Sequence, residues 1–184
     1  PFCEGLAKAK EGDIGFWHRG GTECYPEDVG PFAGDEIHVS PQGTEGGDGS
    51  EGDPLNKVAT AICGALPGQT VIVHPGTYHE TVLLGGFGSA DKPITIRGIT
   101  EDGEEPVMDG GGCLTVGMLL IESQNFVIED LVFRHYTDEG LYVANTSNVT
   151  IQGCLLEKNG FESVAPDFQQ EGFGLTVGSS SNVT

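Results

Sequence analysis

The chain has 184 residues, and its 8 Lys and Arg against 28 Asp and Glu give a formal net charge of −20 at pH 7. Nucleic-acid binding needs a basic surface that neutralises phosphates, so this composition argues against a nucleic-acid partner. No apolar run approaches the roughly 18 residues of a membrane-spanning helix. The length is that of one domain with a sizeable core, and the charge is typical of an acidic, solvated surface.

Residues 1–36 show no repeat and are predicted to form an irregular N-terminal extension. Cys3 and Cys24 close a loop of about 22 residues, and a disulfide there would contribute about 3 kcal/mol in the chain-entropy model. We predict this pairing. A metal site formed by Cys3, His18 and Cys24 is the alternative, although their spacing matches no common zinc motif.

Residues 37–40 are predicted to form a strand, followed by a loop rich in Gly, Asp and Glu at residues 43–53. The loop composition is compatible with a calcium loop, but it lacks the alternation of an EF-hand and has no Glu at the twelfth position. We therefore predict a flexible turn.

A short helix is predicted over about residues 54–66, with Asp53 as its N-cap and Pro54 in its first turn. Because a stack of strands exposes an apolar cross-section at its end, such a helix is a natural cap for the first coil. An apolar stripe at helical spacing marks its buried face: Val58, Ile62 and Leu66.

From about residue 69 the chain is predicted to form stacked coils of short strands, and a repeat fixes their register. Its three copies begin at Gly117, Gly140 and Gly174, with spacings of 23 and 34 residues, so the second interval contains an 11-residue insertion. Apolar and polar residues alternate within each copy, which predicts strands that stack in parallel on the next copy. The residues predicted to point inward are Phe126, Ile128, Leu131, Phe133, Ile151, Cys154 and Leu156.

Each copy carries an Asn at the same position: Asn125, Asn148 and Asn182. Stacked at about 4.8 Å, these side chains are predicted to form a hydrogen-bonded ladder at a tight turn. Asn145 lies in a separate glycosylation sequon and is the predicted acceptor if the source is eukaryotic.

The remaining cysteines are predicted to be unpaired. Cys63 adjoins the apolar stripe of the helix and is interpreted as a buried free thiol. Cys113 and Cys154 occupy different positions in the repeat and therefore do not stack on each other.

With these features the chain resembles the right-handed parallel β-helices of the pectate-lyase-like superfamily. Its N-terminal coils are similar to those of the chondroitinase B and alginate lyase family. The resemblance implies an all-β solenoid over residues 37–184 with an N-terminal capping helix, and a secreted protein that is extracellular or periplasmic. The segments that resemble the chondroitinase B and alginate lyase family are residues 54–59, 66–73, 75–78, 92–98 and 107–110.

The insertion at residues 157–173 is expected to stand out from the shaft and to form one wall of a groove. At its base the repeat stacks Arg134 on Glu157, His135 on Lys158 and Tyr136 on Asn159. Uronan lyases need a cation for the uronate carboxylate, a base for the C5 proton and a donor to the leaving oxygen. The predicted catalytic residues are Lys158, Arg134 and His135, and the predicted substrate-binding residues are Tyr136, Phe161 and Phe168.

Two functions are consistent with these features. In the first, the protein binds or processes an extracellular polysaccharide, as a uronan lyase does, with Ca²⁺ as the candidate cation that bridges an acidic protein and a polyanion. In the second, it is a non-catalytic structural or adhesive shaft of a surface or filament assembly. The sequence ends at Thr184, within a strand of the third copy, so we expect further chain or another subunit to cover that end.

Overall fold

The structure is a computed structural model that describes residues 29, 31–84, 89, 91–160 and 174–184. Three parallel sheets are formed in turn, because each turn of the chain adds one strand to each sheet. The first sheet contains, in spatial order, β1 (Glu36–Thr44), β2 (Thr70–Val73), β5 (Ile94–Gly98), β8 (Gln124–Glu129), β11 (Ser147–Gln152) and β14 (Ser181–Val183).

The second and third sheets have four strands each. The second contains β4 (Val82–Leu84), β7 (Val116–Ile121), β10 (Glu139–Ala144) and β13 (Leu175–Gly178). The third contains β3 (Gly76–Tyr78), β6 (Pro106–Asp109), β9 (Val132–Arg134) and β12 (Leu155–Glu157). This is the predicted parallel β-helix.

The predicted inward positions line its core. Phe126, Ile128, Leu131 and Phe133 are fully buried. Ile151, Cys154 and Leu156, one coil further along, are partly buried and pack against the same core. Their greater exposure follows from their place near the last described coil, where fewer strands cover them. The predicted register is therefore confirmed, and each fully buried Ile, Leu or Phe contributes about 1.5–3 kcal/mol.

Close packing explains the glycine that begins the first repeat copy. Gly117, Gly140 and Gly174 stack on one another, as the pairing of Met118, Leu141 and Leu175 shows. A β-carbon at Gly117 would lie 2.5 Å from the carbonyl oxygen of Gly140, closer than real contacts allow. The two coils can approach this closely only if no side chain is present at Gly117.

The asparagine ladder is confirmed. The Nδ2 of Asn148 donates to Oδ1 of Asn125 at 3.0 Å, and the Nδ2 of Asn182 donates to Oδ1 of Asn148 at 3.0 Å. All three have left-handed backbone, with φ of 60°, 54° and 51° in chain order. Asn tolerates this conformation better than other non-glycine residues, so one residue type provides both the turn and the bond to its neighbours.

The helix is shorter than predicted and is capped differently. Helix α1 spans Val58–Gly64, and Asp53 is not its N-cap because it is held in a bridge with Ser50. The first helical amides donate instead to Glu80: Val58 N to Oε1 at 2.8 Å and Ala59 N to Oε2 at 3.0 Å. Residues before the helix cannot be helical, since Leu55 forms parallel bridges with β1.

The predicted stripe on the helix is only partly correct. Val58 and Ile62 are buried, as expected, but Leu66 lies beyond the helix and is 49% exposed. Ala65, which begins the turn after the helix, is buried in its place. The prediction failed because it continued the helical spacing beyond Gly64, whereas the backbone is already extended at Ala65.

The β-helix begins one strand earlier than predicted. Strand β1 continues beyond the expected residues 37–40 and pairs in parallel with β2, so coil stacking starts before residue 69. The following Gly-rich turn is packed rather than flexible, because Gly47 and Gly49 are buried and Gly49 O accepts a hydrogen bond from His38 N at 2.7 Å.

The cysteines differ from expectation in two places. Cys63 and Cys113 are disulfide-bonded, so the prediction that both are free thiols is wrong. Cys154 is a free thiol, as predicted, and burial raises its pKa. The proposed Cys3–Cys24 pair lies outside the described residues. The sequence could not settle the pairing, because cysteines far apart in the chain are brought together only by the fold.

We predict that Asn148→Ala destabilises the protein by about 1–3 kcal/mol more than Asn145→Ala, because the ladder residue loses two side-chain hydrogen bonds. Both residues have left-handed backbone, with φ of 54° and 52°, so the comparison cancels the backbone effect. Urea unfolding followed by circular dichroism gives the two free energies. Equal losses would show that the ladder adds no stability beyond the turn.

Candidate functional site

The candidate site lies where the chain leaves the third sheet. Asp109, Arg134 and Glu157 end successive strands and stack in register. The residues that follow are held by backbone hydrogen bonds, with Gly110 N donating to Arg134 O at 2.9 Å. Chain segments of three consecutive coils therefore meet along one edge of the shaft.

Asp109 is the centre of this cluster. Its carboxylate accepts hydrogen bonds from Arg134 Nε at 2.9 Å and from Gly111 N at 2.9 Å. Nδ1 of His135 lies 3.1 Å and 3.2 Å from its two oxygens. A carboxylate only accepts hydrogen bonds, so Nδ1 carries the imidazole proton. The Asp109 backbone oxygen also lies 2.8 Å from Nδ1 of His79.

These partners keep Asp109 ionised. Burial acts to raise the pKa of Asp109, but the hydrogen bonds from Gly111, Arg134 and His135 outweigh it and lower the pKa below its ordinary value. The side chain of Arg134 is about one-third exposed (33%). Within residues 91–160 and the other described ranges, no residue forms a hydrogen bond with the terminal Nη atoms of Arg134.

Lys158 lies one coil above His135, as predicted. Both residues have left-handed backbone, with φ of 53° and 57°, which repeats the same turn on successive coils. The side chain of Lys158 is 63% exposed, and its Nζ lies 3.9 Å from Oε1 of Glu157. The structure thus brings the three predicted catalytic residues to one edge, although Asp109 holds two of them.

Tyr136 does not belong to this exposed edge. Its side chain is fully buried and its hydroxyl donates to Glu80 O at 2.9 Å, so its prediction as a substrate-binding residue is corrected to a core role. The left-handed turn at His135 breaks the strand alternation and directs the next residue inward. The other two predicted binding residues, Phe161 and Phe168, lie outside the described residues.

Two acidic residues near this edge, Asp138 and Glu139, were not predicted as site residues. Burial, and next the charge of Asp138, raise the pKa of Glu139 to about 7. Thr176 Oγ1 donates to Oε1 of Glu139 at 3.3 Å. Adjacent acids at the start of a strand were the available signal in the sequence.

Asp109 was also missed as a site residue. Its position after Val107 and Met108 does predict that it follows a strand, but its partners come from the next coil, 25 and 26 residues away. These partners could be predicted only by aligning β6 with β9, which pairs Asp109 with Arg134. In the described ranges no group of three His, Cys, Asp or Glu side chains is arranged to hold a metal ion.

We predict that Glu139→Gln removes a pH dependence of stability. A carboxyl whose pKa is raised on folding stabilises the fold below its unfolded pKa of about 4.3, and this contribution is lost as pH rises towards the folded value. The wild type should therefore lose melting temperature relative to Glu139→Gln between pH 5 and pH 7.5. Asp109 stays ionised throughout this range and adds no slope of its own.

The matched control is Glu122→Gln, which removes an exposed carboxyl on another turn. It should follow the wild-type profile when melting is recorded by calorimetry at each pH. Parallel profiles for the wild type and Glu139→Gln would contradict the raised pKa.

Comparison with known proteins identifies the fold family. Residues 37–184 match the family described as "Pel9A-like, right handed beta helix region". The chain is 40% identical over 65 residues to the uncharacterized protein YwoF of Bacillus subtilis (strain 168), covering 35% of this chain and 14% of that protein. It is 31% identical over 77 residues to pectate lyase PEL9 of Emericella nidulans, covering 41% of this chain and 18% of the relative.

Among solved structures, the lacto-N-biosidase GH136 from Eubacterium ramulus aligns with a TM-score of 0.61 at 15% identity, covering 79% of this chain and 30% of that one. At this identity the likeness shows the fold alone. Each aligned region is thus less than a third of the relative's own length. The predicted handedness and superfamily are confirmed, and the finer likeness to chondroitinase B and alginate lyase stays a prediction. The chain belongs to the Pel9A-like right-handed β-helix family.

Proposed function

We propose that the protein binds or processes an extracellular polysaccharide that carries uronate groups, as a polysaccharide lyase does. The observation that carries the proposal is the pair of cations on consecutive coils, Arg134 held through Nε by Asp109 and Lys158 largely exposed above it. In a chain of net charge −20, two cations on one edge form a local attraction for a polyanion.

The chemistry of uronate elimination assigns roles to these residues. The terminal nitrogens of Arg134 suit bidentate binding of the uronate carboxylate, which makes the C5 proton more acidic. Lys158, or His135 beside it, is the base that takes this proton. The C5 electron pair then forms the C4=C5 double bond as the C4–O bond breaks, and the departing oxygen takes up a proton from solvent water.

The acidic groups around the two cations suggest a part for calcium. Asp138 and Glu157 would repel a polyanionic substrate, and Ca²⁺ between protein and uronate would offset that repulsion.

The proposal also includes a location outside the cytoplasm, either extracellular or periplasmic. Disulfide-bonded Cys63 and Cys113 support it, because disulfides persist in oxidising compartments. A helix capable of crossing a membrane does not occur in the described residues. Contacts of Phe161 and Phe168 with the glycan stay predictions.

A structural or adhesive shaft is the second candidate. The observation that favours it is the commitment of both Arg134 and His135 to Asp109, an arrangement that ties one coil to the next without any substrate. Under this alternative Asp109 is a structural ion-pair partner, and the exposed Lys158 has no special role.

The test follows absorbance from unsaturated uronate when the protein is incubated with pectate, alginate or chondroitin in the presence of Ca²⁺. We expect activity on one polyuronate, and Lys158→Ala and Arg134→Ala should each lower kcat/KM by at least about 100-fold. Lys92→Ala is the matched control, because it removes an exposed lysine away from this edge.

Binding is measured on the same variants by affinity electrophoresis in gels that contain each glycan. Retardation that is lost in Arg134→Ala, without turnover by the wild type, would identify a binding module. Neither turnover nor retardation on any polyuronate would leave the shaft as the better account.

A further inference from the structure

A pair of histidines lies at the other end of the described shaft, apart from the candidate site. His38 is in strand β1 and His74 follows strand β2, so adjacent coils contribute one each. Nδ1 of His38 lies 3.0 Å from Nε2 of His74, and the ring centroids are 5.2 Å apart. Both side chains are largely buried, with 14% and 20% exposed.

A carboxylate approaches the far nitrogen of each ring. Oε2 of Glu36 lies 3.8 Å from Nε2 of His38, and Oε1 of Glu101 lies 3.5 Å from Nδ1 of His74. Negative charge at these positions favours the tautomers that carry their protons on the far nitrogens. The two facing nitrogens then both present lone pairs, which repel unless a proton or a cation lies between them.

We propose that His38 and His74 form a two-histidine site for a divalent transition-metal ion of the nickel, copper and zinc group. With metal–nitrogen bonds of about 2.05 Å, ligands at a right angle are about 2.9 Å apart and tetrahedral ligands about 3.3 Å apart. The observed spacing is nearer the right angle, which Cu²⁺ and Ni²⁺ adopt.

The surroundings match those of metal-bound histidines, in which the second ring nitrogen faces a carboxylate. Glu36 and Glu101 would hold the rings and lower the charge of the occupied site. The described residues supply no third His, Cys, Asp or Glu ligand. Water would complete the coordination. The ion would cross-link β1 and the residue after β2, and it would take no part in glycan chemistry.

The test titrates the untagged 184-residue chain with NiCl₂, CuCl₂ and ZnCl₂ in separate calorimetric experiments. The wild type should bind one ion and gain melting temperature, and His38→Gln and His74→Gln should each weaken this binding at least tenfold. His79→Gln, which changes a histidine outside the pair, should keep wild-type affinity. The free thiol of Cys154 is a second soft ligand, so every titration is repeated in a Cys154→Ser background.

Electron paramagnetic resonance of the Cu²⁺-loaded wild type adds a readout that needs no variant, because two coordinated imidazoles give a characteristic nitrogen splitting. A simple hydrogen bond between the rings, with one nitrogen protonated, accounts for the same 3.0 Å distance. In that case the metals neither bind at this pair nor raise the melting temperature, and the proposal is overturned. Binding of equal strength in the wild type and His38→Gln would also overturn it.

Discussion

Each strand in the described residues is stacked on an equivalent strand of the next coil, about 4.8 Å away, and the rest of the structure depends on that spacing. Each residue must tolerate a near neighbour at the same position of the repeat. Apolar residues meet the condition by stacking inward, as Ile96, Ile128 and Ile151 do across β5, β8 and β11. Glycines meet it where two backbones approach too closely for a β-carbon. Asparagines meet it by donating to one neighbour and accepting from the other.

Charged residues cannot stack on their own kind at this distance without repulsion, and the columns of the shaft resolve the problem by alternating sign. On the outer face of the first sheet, Arg97 bonds to Glu129, which also accepts from Gln152 at 2.6 Å. At the end of the third sheet Asp109, Arg134 and Glu157 alternate in the same way. The candidate site is thus a charge column of the ordinary kind, distinguished by the exposed Lys158 and by terminal nitrogens of Arg134 that no described residue bonds.

The features that the sequence revealed are those that recur. Because the copies align residue for residue outside the insertion, the register of Phe126, Asn148 and Leu156 follows from that alignment alone. The proximity of Arg134, His135 and Lys158 follows from the same register. The cap of α1 and the partners of Asp109 were missed, because each depends on contacts between segments that do not share the repeat pattern. The cap of α1 comes from Glu80, 22 residues after Val58, and no local pattern indicates it.

The capping of α1 by Glu80 has a consequence for the order in which the protein folds. A helix of seven residues is too short to be stable alone, and its first amides stay unsatisfied until Glu80 arrives. Glu80 is placed by β3 and β4, so the chain must complete most of a coil after the helix before the helix itself is secured. During synthesis the segment emerges first but is fixed later. The helix is therefore a product of the first coil, and it cannot act as the template on which that coil assembles.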